Sequence, residues 1–379
     1  MKICVFTSWF PESNNPLYGI FVVDQVKALQ DQNINIAVCY LEKEKFSTLK
    51  NKAPRKEIIQ SIKTYRSFIK KIPIRSKLAL SYYKKRYAKA YKAYKKENGK
   101  PDLIHAHNYL CAAAALAIAQ LENVPIIITE HAAAVQQLAL PSYHLNICKK
   151  VYNISNLVIA VSKQLQQSIL EISPKANIVV IPNLLKDQFN YQEKNKISSD
   201  IQLLAIGSLL KNKRFDLLIE SVSILNNSLN NYTVHLKIIG NGKEYAKLND
   251  RIDSLELQNQ ITICKEKSND LLYEEYLNAH ILISTSITET FGMVAMEALA
   301  CGTPVVTTQN GGTSDFVNDR NGIVIKEANP EVLSTAIKKV IANYEAYNLK
   351  AISQEIHSTY NAKKIANALI DQYKKFSRL

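Results

Sequence analysis

The chain has 379 residues, 47% of them hydrophobic, so it is long enough for two globular domains and is not a disordered protein. Its longest purely apolar run, 111–119, is far shorter than the roughly 20 residues that a membrane-spanning helix needs. The net charge is +15, but residues 43–100 hold 20 lysines and arginines against 3 glutamates, so the excess charge is local and not a property of the whole chain.

The six cysteines, at positions 4, 39, 111, 148, 264 and 301, are scattered and form no zinc or disulfide pattern. We therefore expect a protein of the reducing cytoplasm. The N-terminal run "MKICVFTSWFP" is typical of a buried strand and not of a secretion signal.

Short, continuously apolar segments alternate with segments of helical periodicity along the whole chain. The expected strands are 2–8, 34–40, 102–107, 125–131, 157–162, 178–183, 201–208, 234–240, 261–265, 280–285, 304–308 and 322–325. Such runs are typical of parallel strands that helices cover on both faces. The pattern predicts an α/β fold of two Rossmann-like doubly wound domains, 1–190 and 191–359, that face a cleft.

The basic region contains the segment "LSYYKKRYAKAYKAYKKENGK", which places four tyrosines on one helical stripe: Tyr83, Tyr87, Tyr91 and Tyr94. One interpretation is a crossover helix with a tyrosine core face and a solvated lysine face. The other is an interfacial helix that attaches the protein to an anionic membrane surface. A polyanion-binding protein without enzymatic activity is a third possibility, and no nucleic-acid signature supports it.

Two histidines end the strand "DLIHAH". We expect His105 to be a hydrogen-bonded structural residue, whereas His107 is a candidate contact for a second substrate.

Glycine-rich loops follow several strands of the second half. Gly207 precedes Lys213, the triplet Gly240-Asn241-Gly242 ends another strand, and Gly311-Gly312 precedes a further helix. Glycine lets a backbone approach a ligand closely, and helix N-termini present free N–H groups to anions. Together the loops predict a diphosphate or nucleotide held by backbone amides, with Lys213 as the point charge.

The stretch "TETFGMVAMEALACGTPVV" carries Glu289 and Glu297. We expect a helix to begin near Phe291 or Gly292, so that Glu289 lies just before it and Glu297 about two turns along it. Carboxylates accept two hydrogen bonds from vicinal sugar hydroxyls, which suits a sugar joined through phosphates to a ribose. A retaining glycoside hydrolase with these glutamates as acid and nucleophile is an alternative that leaves the loops and Lys213 unexplained.

This stretch resembles the E-x7-E signature of the family 4 retaining glycosyltransferases, also called glycosyltransferase group 1, which have the GT-B fold. The segments "GSLLKNKRFDLLIE", "IIGNGKEYAKL", "TEHAAA", "VSKQL" and "IPNLL" are similar to further landmarks of that family. A nucleotide-sugar epimerase shares the fold, but the E-x7-E context argues against it.

The resemblance implies a role for each matching position. Glu289, His131 and Lys213 are the implied catalytic residues, since they would hold the donor sugar and neutralise the leaving diphosphate. Tyr18 joins His107 as an implied acceptor contact. The implied donor-binding residues are Gly19, Gly207, Ser208, Gly240, Asn241, Gly242, Thr290, Phe291, Gly292, Met293, Val294 and Glu297.

Two departures from the family pattern stand out. Ser208 stands where the family usually has an arginine, and this loss of a cation would weaken leaving-group stabilisation unless Lys211 or Arg214 substitutes. Lys265 replaces a common glycine, which leaves the base contacts near Lys267 open.

The resemblance also implies a retaining transfer without a metal or other cofactor. The expected donor is a UDP- or GDP-linked hexose, and the expected acceptor is lipid-linked or a polysaccharide, with a glycolipid or small molecule as alternatives. A C-terminal helix, 360–379, is expected to pack back onto the first domain. We further expect peripheral attachment to the inner membrane face through 43–100, and no nucleic-acid partner.

Overall fold

A computed structural model describes residues 1–12, 15–16, 18–44, 54–70, 73–194, 196–229, 231–265 and 269–377. The chain divides into two compact units. Unit 1 is Met1–Leu184 together with Ala362–Leu379, and unit 2 is Leu185–Asn361. Each unit is built on a largely parallel sheet with helices, so the predicted fold class of two Rossmann-like domains is confirmed.

Unit 1 contains one eight-stranded sheet. Its strands are β1 Lys2–Thr7, β2 Asn35–Glu44, β3 Arg55–Ile59, β4 Ile62–Lys70, β5 Leu103–His107, β6 Ile126–Glu130, β7 Leu157–Ala160 and β8 Ile178–Val180. Its helices are α1 Ile20–Asp31, α2 Lys77–Asn98, α3 Tyr109–Glu122, α4 Ala133–Gln136, α5 Ser142–Ile154, α6 Lys163–Ile172 and α13 Ala362–Phe376.

The strands of this sheet lie in the order β3-β4-β2-β1-β5-β6-β7-β8, and every pair except β3–β4 is parallel. All residues of β5, β6 and β7 are buried, as expected for strands covered on both faces. Helix α13 packs on α1 and adds Ile365, Leu369 and Tyr373 to the core of unit 1.

The hairpin of β3 and β4 was not expected from the sequence. It turns at Gln60 and Ser61, which both have positive φ angles of 49° and 70°. Tight turns of this kind usually carry Asn-Gly or Asp-Gly, so Gln-Ser gave no turn signal. Most side chains of β3 are exposed, which removes the hydrophobic pattern by which a buried strand is recognised.

Helix α2 forms over the tyrosine-rich segment and presents its tyrosines to the core. Tyr83, Tyr87, Tyr91 and Tyr94 are each at most 5% exposed. The hydroxyl of Tyr87 donates to the carbonyl oxygen of Thr7 at 2.7 Å. The crossover interpretation is therefore confirmed, and the prediction that the tyrosines contact a bilayer is wrong, because their rings pack against the sheet.

Unit 2 contains one six-stranded, fully parallel sheet in the order β11-β10-β9-β12-β13-β14. The strands are β9 Asp200–Ile206, β10 Thr233–Ile239, β11 Ile261–Cys264, β12 Ile281–Ser284, β13 Val305–Thr308 and β14 Gly322–Ile325. The helices are α7 Phe215–Asn226, α8 Tyr245–Ser254, α9 Asn269–Asn278, α10 Met293–Ala300, α11 Pro330–Ala342 and α12 Leu349–Tyr360, with short 3-10 turns at Lys211–Lys213, Gly312–Asp315 and Tyr344–Ala346.

Residues 185–190 belong to unit 2, whereas the sequence placed them in the first domain. The amide of Leu185 donates to the carbonyl oxygen of Tyr360 at 2.7 Å. Phe189 is fully buried against the rings of Tyr273 and Tyr276. These contacts tie the segment to α9 and α12.

No helix among the described residues is long and apolar enough to cross a membrane.

Replacement of Tyr87 by alanine should lower the free energy of unfolding by about 3–5 kcal/mol, because it removes a fully buried ring. Lys85→Ala, on the exposed face of the same helix, should change it by no more than about 0.5 kcal/mol. Urea unfolding followed by the fluorescence of the single tryptophan, Trp9, reports on unit 1. Equal losses in the two variants would contradict the buried placement of the tyrosine face.

Candidate active site

The loops that the sequence singled out follow four neighbouring strands of the unit 2 sheet: β10, β9, β12 and β13. Backbone hydrogen bonds join them, from Leu209 N to Asn241 O (2.8 Å), from Ile287 N to Asn212 O (2.8 Å), from Glu289 N to Asn310 O (2.9 Å) and from Gly312 N to Glu289 O (2.8 Å). The carboxyl edge of this sheet is where α/β proteins bind ligands.

Gly240 and Gly242, two of the predicted donor-binding residues, must be glycines because the loop after β9 lies too close to them for a side chain. A Cβ atom on Gly240 would lie 1.9 Å from the carbonyl oxygen of Gly207, and one on Gly242 would lie 2.2 Å from that of Leu209. From the sequence, we expected these glycines to let a ligand approach the backbone. In the structure, each glycine instead lies against the backbone of a second loop. The carbonyl oxygen of Asn241, between them, accepts the hydrogen bond that joins the two loops.

Helix α10 begins at Met293, close to the predicted start, and no side chain caps its N-terminus. Gly292 occupies the cap position with a φ of 96°, and a Cβ there would meet the Thr313 side chain at 2.4 Å. The first N–H groups of a helix, here including those of Met293 and Val294, lack intrahelical partners and favour an anion. The turn before this helix is therefore built to present backbone donors.

The two residues before Gly292 differ in the burial of their side chains. Thr290 is half-buried. The ring of Phe291 is 2% exposed and packs against Phe316 and Tyr360, with ring centroids 5.4 and 5.8 Å away. Only the backbone of Phe291 is therefore placed to meet a ligand.

Glu289 and Lys213, both predicted catalytic residues, form an ion pair in unit 2. The distance from Lys213 Nζ to Glu289 Oε1 is 2.5 Å, and the side chains are only 21% and 22% exposed. Ser286 donates a second hydrogen bond to the same carboxylate oxygen at 2.7 Å. Partial burial strengthens such a pair relative to one on the open surface. The pair therefore holds a cation and an acceptor side by side at the edge of the sheet.

Glu297 lies in the second turn of α10 and is half-buried. Its Oε2 accepts a hydrogen bond of 2.7 Å from the hydroxyl of Tyr276. Burial, and secondarily Glu297, raise the pKa of Tyr276 well above its usual value, so this hydroxyl stays protonated and donates. Tyr276, in α9, was missed from the sequence because one aromatic residue in a helix is far more often a core residue than a site residue.

The two neighbouring cations that could substitute for the arginine missing at Ser208 differ in their surroundings. Ser208 is exposed, and Arg214 directs Nη1 to the carbonyl oxygen of Ala328 at 3.1 Å. Lys211 is exposed and Lys213 is the lysine that contacts Glu289. The predicted base contact near Lys267 lies outside the described residues.

Unit 1 contains three histidines that lie in or directly after the adjacent strands β5 and β6, and we call them the histidine row: His105, His107 and His131. The rings of His105 and His107 stack with centroids 4.7 Å apart, and those of His107 and His131 at 5.4 Å. His107 Nδ1 lies 3.1 Å from His131 Nε2. Burial lowers the pKa of all three, to about 3 for His105 and His131, so the row is neutral near pH 7.

The loop after β1 lies against the outer end of this row. His131 contacts the rings of Trp9 and Phe21 at 5.9 and 4.8 Å. Gly19 caps α1 with a φ of 70°, and a Cβ there would lie 2.2 Å from the carbonyl carbon of Trp9. Tyr18, the predicted acceptor contact, is half-buried, and burial followed by the charge of Glu12 raises its pKa to about 12.

Glu130 braces the backbone that carries His131. Its fully buried carboxylate accepts hydrogen bonds from the amides of Tyr109, His131 and Ala132 and from the Tyr152 hydroxyl, at 2.7–2.9 Å. Burial raises the pKa of this carboxyl group above its ordinary value, although the four hydrogen-bond donors offset part of the rise. The sequence did not single out Glu130, although it directly precedes a predicted site residue.

Two family profiles together match residues 19–355 of the chain. The one described as "Glycosyltransferase Family 4" matches residues 19–188, and the one described as "Glycosyl transferases group 1" matches residues 187–355. The chain belongs to the family 4, or group 1, glycosyltransferases. It is therefore a transferase enzyme, as the sequence predicted.

Relatives of this glycosyltransferase match it over its whole length. TuaC of Bacillus subtilis, which is named as a teichuronic acid biosynthesis glycosyltransferase, is 26% identical and covers 98% of each chain. Among solved structures, sucrose-phosphate synthase from Thermosynechococcus elongatus has a TM-score of 0.78 at 20% identity, covering 99% of this chain and 98% of its own. HepE from Anabaena, in complex with UDP and glucose, has a TM-score of 0.77 at 17% identity, covering 99% and 100%. These structures confirm the GT-B fold class.

One site prediction for the glycosyltransferase is corrected by the structure. His107 was expected to contact the acceptor directly, but its ring is 0% exposed and bonds to His131. His105 is a hydrogen-bonded structural residue, as expected, because its Nε2 lies 2.7 Å from Thr129 Oγ1 and its Nδ1 lies 2.8 Å from the Tyr373 hydroxyl.

The neutral histidine row should make unit 1 less stable at acid pH. Unfolded histidine binds a proton near pH 6.5, whereas the folded row does not, so stability is complete above pH 6.5 and falls as the pH drops below it. Each fully buried histidine contributes a slope of up to about 1.4 kcal/mol per pH unit.

His107→Asn should reduce this slope by about one histidine's share, while Lys85→Ala, on the exposed face of α2, should leave it unchanged. The measurement is urea unfolding by Trp9 fluorescence between pH 5 and 7.5. An unchanged slope in His107→Asn would show that His107 is protonated in the folded state.

Proposed function

We propose that the protein is a retaining glycosyltransferase that moves a hexose-type sugar from a UDP- or GDP-linked donor to a lipid-linked or polysaccharide acceptor. The product would be a cell-surface glycan. The observation that carries the donor assignment is the turn at Glu289–Gly292, where the Glu289–Lys213 pair stands at the uncapped N-terminus of α10.

The transferred bond joins an anomeric carbon to a diphosphate, so negative charge grows on the phosphate as the bond breaks. The amides at the start of α10 and the ammonium group of Lys213 are donors already in place for that charge. Such preorganised donors stabilise a transition state because they need no rearrangement when the charge appears. We propose that they suffice for the leaving group without a metal or other cofactor.

Glu289 has two tasks in this proposal. Its carboxylate fixes Lys213 before the donor arrives, and it accepts hydrogen bonds from hydroxyls of the donor sugar. Family resemblance supports retention of anomeric configuration, in which the departing phosphate takes the acceptor's proton on the same face of the sugar.

Glu297 is proposed to bind the ribose of the donor. Tyr276 occupies one of its oxygen atoms, Oε2, and thereby fixes the orientation of the carboxylate. A carboxylate has about four acceptor positions, which suits the vicinal hydroxyls of a ribose.

Two relatives support the choice of substrates. HepE is described in complexes with UDP and with UDP-glucose, which favours a uridine nucleotide here. TuaC carries a name from teichuronic acid biosynthesis, which favours a polymeric glycan acceptor.

Thermal unfolding with UDP, GDP and ADP, and with their sugars, tests the donor assignment. A nucleotide at 100 times its dissociation constant should add about 2.7 kcal/mol to the stability. Glu297→Gln should lose most of this gain, whereas Glu345→Gln, at an exposed glutamate of the same unit, should keep it. No gain with any nucleotide, or equal gains in both variants, would reject the proposed donor site.

A second proposal concerns the lysine face of α2. Lys85, Lys89 and Lys92 are exposed on the side opposite the buried tyrosines. Burial lowers the pKa of Lys84, and the nearby charge of Lys150 lowers it further. Positive charge is therefore concentrated at this face. We propose that this face holds the enzyme at the anionic inner face of a membrane by charge alone, near a lipid-linked acceptor.

Sedimentation with vesicles that contain anionic lipid tests the membrane proposal. Replacement of Lys85, Lys89 and Lys92 by glutamine should weaken binding about 100-fold, since each cation contributes about 1 kcal/mol near such a surface. The matched control replaces Lys326, Lys339 and Lys350, which are exposed in unit 2. Equal weakening in the two variants, or no binding by the unaltered protein, would refute the proposed role of α2.

A further inference from the structure

The histidine row contains a buried nitrogen atom that decides where its protons lie. Nε2 of His107 is fully buried and forms no hydrogen bond with any described residue. Nδ1 of the same ring faces His131 Nε2 at 3.1 Å. One nitrogen of His107 therefore has a partner and the other has none.

A neutral imidazole carries one N–H group and one lone pair. An N–H group buried without an acceptor is rarer and more costly than a buried lone pair without a donor. The proton of His107 therefore belongs on Nδ1, where it is donated to His131. His131 must then accept at Nε2, which leaves its own proton on Nδ1.

We propose that His107 is a positioning residue that fixes His131 as the Nδ1–H tautomer, so that His131 offers a hydrogen-bond donor to an oxygen of a sugar substrate. This inference rests on the proposed function for its substrate, but not for the tautomer. His131 is half-buried, and no described residue bonds to its Nδ1, so that nitrogen is the one left for a ligand.

The inner end of the row keeps the plane of His107 in place. His105 stacks on His107 at 4.7 Å and has both nitrogens engaged, with Thr129 Oγ1 at 2.7 Å and the Tyr373 hydroxyl at 2.8 Å. Tyr373 comes from α13, so the C-terminal helix anchors the row from which His131 projects. His107 is thus held on one face by a ring that has no freedom to turn.

Burial lowers the pKa of each member of the row, which agrees with neutral rings at physiological pH. A neutral His131 with its proton on Nδ1 donates a hydrogen bond through that atom and does not accept a proton there. The assignment therefore makes His131 a donor to the substrate and not a general base.

Long-range 1H–15N correlation spectra of the full chain, labelled with 15N-histidine, test the tautomer directly. At pH 7.5 we expect His107 and His131 both to show the Nδ1–H pattern, with signals assigned through His131→Asn and His107→Asn. An Nε2–H pattern for His131 would overturn the inference. This spectrum needs no substrate, so it stands even if no transfer activity is found.

Two replacements of His107 separate the hydrogen bond from packing. His107→Phe keeps an aromatic ring in the row but has no donor, whereas His107→Asn keeps a polar group near the Nδ1 position without the ring. We expect His107→Phe to lower kcat/KM about tenfold relative to His107→Asn, the effect of one lost hydrogen bond. Trp9 fluorescence shows that each variant is folded. Equal activity of the two variants would limit His107 to a packing role and contradict the positioning role.

Discussion

The seam between the loops after β12 and β13 is the constraint on which the rest of the site depends. The amide of Glu289 donates to Asn310 and the amide of Gly312 donates to the carbonyl of Glu289, so the two loops are joined like a short piece of parallel sheet. A Cβ on Gly312 would lie 2.4 Å from Cα of Phe291, and one on Gly292 would meet Thr313. Because the seam leaves no room for side chains, the chain enters α10 through a left-handed glycine, and the helix starts without a side-chain cap.

The charged side chains follow from this backbone arrangement. The seam places Glu289 where Lys213 and Ser286, from neighbouring strand ends, converge on one of its oxygens. In unit 1 the carboxylate of Glu130 likewise accepts a hydrogen bond from the backbone amide of His131, and the ring of His107 holds the His131 side chain. In both units a side chain that the sequence predicts to be catalytic is supported by buried groups, and catalysis by preorganised charge requires such support.

Much of this arrangement could be predicted from the sequence because it depends on local patterns. The apolar runs predicted the parallel strands, and the glycine before "MVAMEALA" predicted a helix start near Phe291 or Gly292, within two residues of the observed start at Met293. What could not be predicted depends on contacts between distant residues. The pairing of Lys213 with Glu289 spans 76 positions, and the burial of His107 depends on residues that pack from elsewhere in unit 1.

The β3–β4 hairpin was missed because its turn, Gln60-Ser61, lacks the usual glycine or asparagine. The side chain of Arg214 was equally unpredictable, since only the fold brings Ala328 to it.

We propose that the edge of the unit 2 sheet binds a diphosphate through Lys213 and the amides at the start of α10. Isothermal titration with UDP and UMP, or with GDP and GMP if guanine is the base, tests it most directly on the unaltered protein and on Lys213→Met. We expect the diphosphate to bind at least about tenfold more tightly than the monophosphate, since a hydrogen bond to a charged group contributes about 1.5–3 kcal/mol. Lys213→Met should remove most of that difference while leaving the affinity for the monophosphate nearly unchanged. Equal affinities for the two nucleotides, or a difference that survives in Lys213→Met, would show that Lys213 does not hold the second phosphate.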